Sequence, residues 1–127
     1  MKALLDSHVF LWAIAEEEKL SRPAQQVYSG PNNLWLSVVS VWEILIKVRA
    51  GKLLLPEPAG PYLVKRLVEN KIEILPVKLG HLLRLESLPA HHRDPFDRML
   101  VAQSLEEDLP LVTADPIFEK YPVRVIW

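Results

Sequence analysis

The sequence predicts an α/β fold, a central parallel sheet covered on both faces by helices, and three observations carry that prediction. Short apolar runs with strand character alternate along the chain with stretches of helical spacing, which is the pattern of strand-helix crossover units. The first of these runs is continuously apolar rather than alternating, as expected of a central strand buried on both faces. Three acids, Asp6, Glu43 and Asp115, stand where a strand-like run gives way to a helix start, and Asp97 stands in the first turn of another helix. In parallel sheets the functional crevice lies beyond the carboxyl ends of the strands, which is where these acids belong.

Taken in order, Lys2 to Asp6 (KALLD) reads as a central strand and Ser7 to Ala15 as a helix packed on it. Ser21, followed by Arg22 and Pro23, opens a second helix that Gly30 and Pro31 end. Leu34 to Val38 is the next strand. The spacing of Val41, Ile44, Leu45 and Val48 predicts a helix starting at Ser40, with Gly51 as its stop. Lys52 to Pro61, with three prolines and a glycine, reads as a loop, and helical spacing resumes over Tyr62 to Glu69. Ile72 to Leu75 is a third strand and Lys78 to Ser87 a helix. The stretch His91 to Leu105 (HHRDPFDRMLVAQSL) is written as a helix start, with Asp94 as N-cap, Pro95 in the first turn and Asp97 where a capping-box acid would reach back. Leu111 to Thr113, a short helix from Asp115 and Pro116, and a strand over Val123 to Ile126 complete the chain.

At 127 residues the chain is expected to form one domain, 1–127, long enough to bury a core without staples. Half its residues are hydrophobic and 24% charged, a globular composition. With no cysteine there are no disulfides, no thiolate catalysis and no cysteine-ligated metal, which suits a reducing cytoplasm. No apolar run approaches the ~20 residues of a membrane span, so a mature, soluble protein is expected with no membrane partner. A net charge of -1 leaves no global basic excess for nucleic acid. Phosphate contacts would therefore come from local clusters: Lys47, Arg49 and Lys52, or Arg93 and Arg98.

Each acid alone has a cheap structural explanation. Glu43 stands three residues after Ser40, a capping box, and four before Lys47, an ion pair worth only ~0.3 to 0.5 kcal/mol. Asp94 is best explained as an N-cap, and Asp115, which Thr113 can orient, fits as another. Asp6 ends an apolar strand, where an unpaired carboxylate is costly. Their joint placement is harder to explain this way. Four carboxylates converging on one crevice repel one another by more than the roughly 0.3 to 1 kcal/mol each gains from a helix dipole, and a divalent cation relieves that repulsion. Oxygen-only ligands point to Mg²⁺ or Mn²⁺, and such sites commonly hydrolyse phosphodiesters with a metal-activated water.

LLDSHVFLW around Asp6, SVVSVWEI at Glu43, DPFDRMLVAQS at Asp97 and LVTADPIFEKY at Asp115, in that order and spacing, resemble a PIN domain of the VapC toxin type over essentially the whole chain. The resemblance implies a three-layer α/β/α fold and a Mg²⁺- or Mn²⁺-dependent endoribonuclease, the toxin of a toxin-antitoxin module. It implies Asp6, Glu43, Asp97 and Asp115 as metal-binding acids, an RNA substrate cut to leave a 5′-phosphate, a cognate antitoxin and a homodimer. Ser7 keeps a hydroxyl where the family often has threonine, and Asp94 is an extra acid, a helper or cap. Two other classes compete. A phospho-accepting signalling domain usually has a pair of acids after its first strand, where Asp6 stands alone; a non-catalytic RNA-binding scaffold would have no reason to keep all four acids. Of the histidines, His8 is the one expected to touch the site, with His91 and His92 read as loop residues. Trp42 and Ile46 lie off the apolar stripe of their helix and are expected to face a partner.

Overall fold

A computed structural model describes all residues 1–127. Five strands, β1 (Lys2–Leu5), β2 (Asn33–Ser37), β3 (Ile72–Leu75), β4 (Leu111–Val112) and β5 (Val125–Ile126), form one sheet in the order β3-β2-β1-β4-β5. Every pairing is parallel. Successive side chains point to opposite faces, so the sheet divides its apolar residues between two cores. Ala3, Leu5, Leu34, Leu36 and Ile72 pack under helices α1 (Ser7–Ala15), α2 (Arg22–Ser29), α3 (Val38–Arg49) and α4 (Ala59–Glu69). Leu4, Leu75 and Leu111 pack on the other side against Leu100 and Val101 of α6 (Pro95–Glu107), which is backed by α5 (Leu79–Ser87). The fold is thus the expected three layers. No helix is long and apolar enough to cross a membrane.

The topology determines where a crevice opens. The chain winds outward from β1 in one direction to β2 and β3, and in the other to β4 and β5. Strand order therefore reverses beside β1, and the loops leaving β1 and β4 part there to open a crevice. Asp6 is the first residue after β1, and Thr113 the first after β4.

Several local expectations are corrected. The helix read as starting at Ser40 begins at Val38, and its N-cap is Ser37, whose hydroxyl accepts from Val39 N at 3.2 Å. Ser40 lies inside the helix, buried, with its hydroxyl unpartnered. Glu43 therefore belongs to no capping box. Substituting alanine for Ser37 is expected to cost about 1 kcal/mol, whereas Ser40→Ala should fall within ~0.5 kcal/mol of wild type because no hydrogen bond is lost; urea denaturation midpoints compare the two. The stretch read as a loop to Pro61 ends earlier, because α4 starts at Ala59 with Gly60 and Pro61 in its first turn. Proline is tolerated there since those amides have no intrahelical acceptor. Beyond Asp115 the chain forms a 3-10 turn, Pro116–Lys120, and β4 and β5 pair over only two residues each. Gly51, at φ 73°, ends the α3 region as its left-handed stop.

Candidate metal centre

The crevice is built outward from Asp6. As N-cap of α1 it accepts from His8 N through Oδ1 at 2.9 Å, and the Thr113 hydroxyl donates to Oδ2 at 2.6 Å. The Ser7 hydroxyl reaches Glu43 Oε1 at 2.9 Å and Asp6 Oδ1 at 3.3 Å. With one proton it donates to one of them at a time, and the shorter contact is to Glu43. Asp6, Ser7, Glu43 and Thr113 are all buried. Burial pushes the Asp6 carboxyl up, but hydrogen bonds from His8 and Thr113 outweigh it and hold the carboxyl below its ordinary range. Glu43 reaches the crevice from α3, and its other oxygen pairs with Lys47 Nζ at 3.3 Å, the expected i,i+4 partner.

The second half of the crevice comes from α6 and the turn after β4. Asp94 caps α6, its Oδ1 accepting from Phe96 N at 2.8 Å and Asp97 N at 3.2 Å. Asp97 does not reach back as a capping-box acid. Its Oδ2 lies 2.8 Å from His92 Nε2, and the Asp94 amide is taken instead by His92 Nδ1 at 3.3 Å. Asp115 donates its backbone N–H to the Thr113 hydroxyl at 3.1 Å and caps the 3-10 turn through Oδ1, which accepts from Ile117 N at 3.0 Å. Thr113 thereby ties the β1 acid to the β4 acid.

Burial, and then the negative charges of Asp94, Asp6 and Glu43, push the Asp97 carboxyl up to about 7, with His92 opposing. Ligand atoms of His92, Asp97 and Asp115 lie within 4.8 Å of one another. That group sets an imidazole nitrogen beside two carboxylates, with Asp6 and Glu43 outside it; the carboxylate oxygens of the four acids are the donors that would fit a hard divalent cation. Asp6 and Asp115 line a hollow of about 310 Å³ together with His8 and Trp12. His8 also borders a second hollow, of about 220 Å³, lined by Ser7, Glu43, Lys47 and Lys52. The His8 imidazole pairs with Asp6 at 3.8 Å, and this partner raises its pKa against the opposing effect of burial.

Of the basic residues singled out from sequence, Lys47 and Lys52 line the second hollow, while Arg49 and Arg93 are exposed at the surface. Arg98 is turned away: its guanidinium donates to the carbonyls of Pro89 at 3.0 Å and Leu85 at 3.4 Å, at the end of α5. A guanidinium so placed closes off carbonyls left over by the helix end and is not free for phosphate. Trp42 and Ile46 are exposed as expected, and the Trp42 ring meets Phe96 edge-on at 5.2 Å. His92 is the residue that sequence reasoning passed over. The one signal for it was its place two residues before a helix N-cap, within reach of the cap's amide.

Known proteins resemble this chain over nearly its whole length. Residues 3–123 match the PIN domain. Ribonuclease VapC22 of Mycobacterium tuberculosis is 31% identical over 114 residues, covering 88% of this chain and 85% of that protein. Among solved structures, VapBC2 from Rickettsia felis bound to a DNA fragment from its promoter superposes with a TM-score of 0.73 at 13% identity, over 98% of this chain and 97% of the other. DNA-bound VapBC from Salmonella typhimurium gives 0.71 at 19% identity, over 98% and 96%. Those identities speak to the fold alone, but with the family match over nearly the whole length they leave one assignment: the chain belongs to the PIN-domain family, among its VapC-type ribonucleases.

Proposed function

We propose that this PIN-domain ribonuclease, the toxin of a toxin-antitoxin pair, hydrolyses RNA endonucleolytically with Mg²⁺ or Mn²⁺ held by Asp6, Glu43, Asp97 and Asp115. The observation that carries the reading is that Thr113 ties Asp6 to Asp115 and Ser7 stands between Asp6 and Glu43, while ligand atoms of Asp97, Asp115 and His92 lie within 4.8 Å of one another. When bound, a divalent ion supplies a water of lowered pKa and offsets charge building on the phosphate. The chain's own residues do the rest. Thr113 and the His8 amide fix both oxygens of Asp6, and the Ser7 hydroxyl donates to Glu43. Lys47 holds the outer oxygen of Glu43, and with Lys52 it gives the neighbouring hollow a positive edge for an RNA phosphate. Arg49 and Arg93 extend that edge over the surface. Single-stranded RNA suits a recessed site, because its backbone can bend in and its bases splay outward.

The partners proposed are a cognate antitoxin and a second copy of the chain, in a cytoplasmic setting. The fold neighbours are VapB–VapC complexes, and Val38, Trp42, Leu45 and Ile46 expose an apolar stretch along α3 that is suited to burial against protein.

Cleavage of a structured RNA by metal-stripped protein tests the reading. Activity is expected to be absent in EDTA and to return with Mg²⁺ or Mn²⁺. Cleavage of equal rate in EDTA and in Mg²⁺ would show the acids to be structural.

A further inference from the structure

The acid at the third position of a helix normally turns back to the N-cap amide, completing a capping box. Asp97 holds that position in α6 and does not turn back. Its expected partner, the Asp94 N–H, is taken by His92 Nδ1 at 3.3 Å. An imidazole nitrogen that accepts from an amide carries no proton, so in the neutral ring the proton is on Nε2. That N–H points at Asp97 Oδ2, 2.8 Å away. The ring's own position is set from outside. The His92 backbone N–H donates to the Tyr121 hydroxyl at 3.0 Å, and the ring stands against Phe118 with centroids 6.4 Å apart. Tyr121 and Phe118 are both buried in the second core. His92 is thus fixed to the segment that Asp115 opens, while it holds a carboxylate on α6.

We infer that His92 is a positioning residue: by occupying the Asp94 amide and donating to one oxygen of Asp97, it turns Asp97 from a helix cap into a cation ligand with its other oxygen presented to the crevice. The inference rests on reading the acids as a metal site, and it assigns His92 no bond to the metal. Hydrogen-bond partners of ligating carboxylates typically set metal affinity by about 10- to 100-fold.

Mn²⁺ binding to metal-stripped protein, followed by calorimetry, tests the inference without relying on activity. His92→Ala is expected to weaken Mn²⁺ binding about 10- to 100-fold, and His92→Gln, whose side-chain amide can still donate to Asp97, to recover most of the loss. Electron spin-echo modulation of Mn²⁺-loaded wild type should show no directly coordinated nitrogen. Equal affinity of wild type and His92→Ala overturns the inference alone, as does a coordinated nitrogen that disappears in His92→Ala or His92→Gln. A wild-type protein that binds no Mn²⁺ overturns this and the metal-site reading together. Should His92→Ala fail to fold, the affinity of His92→Gln and the nitrogen signature of wild type decide the matter: binding near wild type with no coordinated nitrogen is expected, and a coordinated nitrogen overturns it.

Discussion

Asp97→Asn is expected to lower RNA cleavage by about two to four orders of magnitude, the effect of losing several kcal/mol of metal-supplied stabilisation, while making the metal-free protein more stable at pH 8. The two effects have one cause. In the metal-free protein the Asp97 carboxyl is pushed up to about 7, by burial and then by Asp94, Asp6 and Glu43. Its ordinary value is 3.8, so the unfolded chain ionises first and binds fewer protons between the two values. Stability therefore falls as pH rises from about 4 to about 7 and is flat above. Asparagine cannot ionise, so its advantage over aspartate should be small near pH 4 and largest above pH 7. Thermal unfolding of both proteins in EDTA across that range measures it. Adding Mn²⁺ should stabilise wild type far more than the variant, since a ligand stabilises only what binds it. Asp94→Ala should behave oppositely, losing about 1 kcal/mol of cap stability and keeping most of its cleavage. Indistinguishable profiles for the two variants would undo the division between cap and ligand.

Thr113→Val carries the second large effect. The substitution keeps the shape and removes only the hydroxyl, which donates to Asp6 Oδ2 at 2.6 Å and accepts from Asp115 N at 3.1 Å. Without it, a buried carboxylate loses a donor and a backbone amide loses its acceptor, at a cost of about 1 to 3 kcal/mol. Cleavage should fall about 10- to 100-fold, because the acids after β1 and β4 lose the group that holds them in register. Thr113→Ser should restore most of both. Steady-state cleavage and urea denaturation on the three proteins check this, and a valine variant as active as wild type would show that the hydroxyl only fills space.

What was readable in the sequence follows from which contacts are local. Asp6 stood out because an apolar strand stops on a carboxylate, and the ends of β3 were legible because Pro76 and the polar residues around it leave no choice. Ser40 was misread because Ser-x-x-Glu imitates a capping box, while the true cap, Ser37, is hidden at the end of a strand-like run. The start of α4 was lost among prolines and a glycine that a first helical turn accepts. The role of His92 depends on Tyr121 and Phe118, distant in sequence and brought to it only by the second core. Arg98 looked like a phosphate ligand because it follows an acid, yet its helix points it at the end of α5. Chemistry placed at strand ends was visible in the chain itself; the hydrogen bonds that orient it were not.

The most direct measurement is anomalous scattering from a crystal grown or soaked with Mn²⁺. The expected result is an anomalous peak in the crevice bounded by Asp6, Asp97 and Asp115, with carboxylate oxygens as its protein ligands. A crystal that holds Mn²⁺ elsewhere, or none at saturating concentration, while the same protein cleaves RNA in EDTA, would contradict the account.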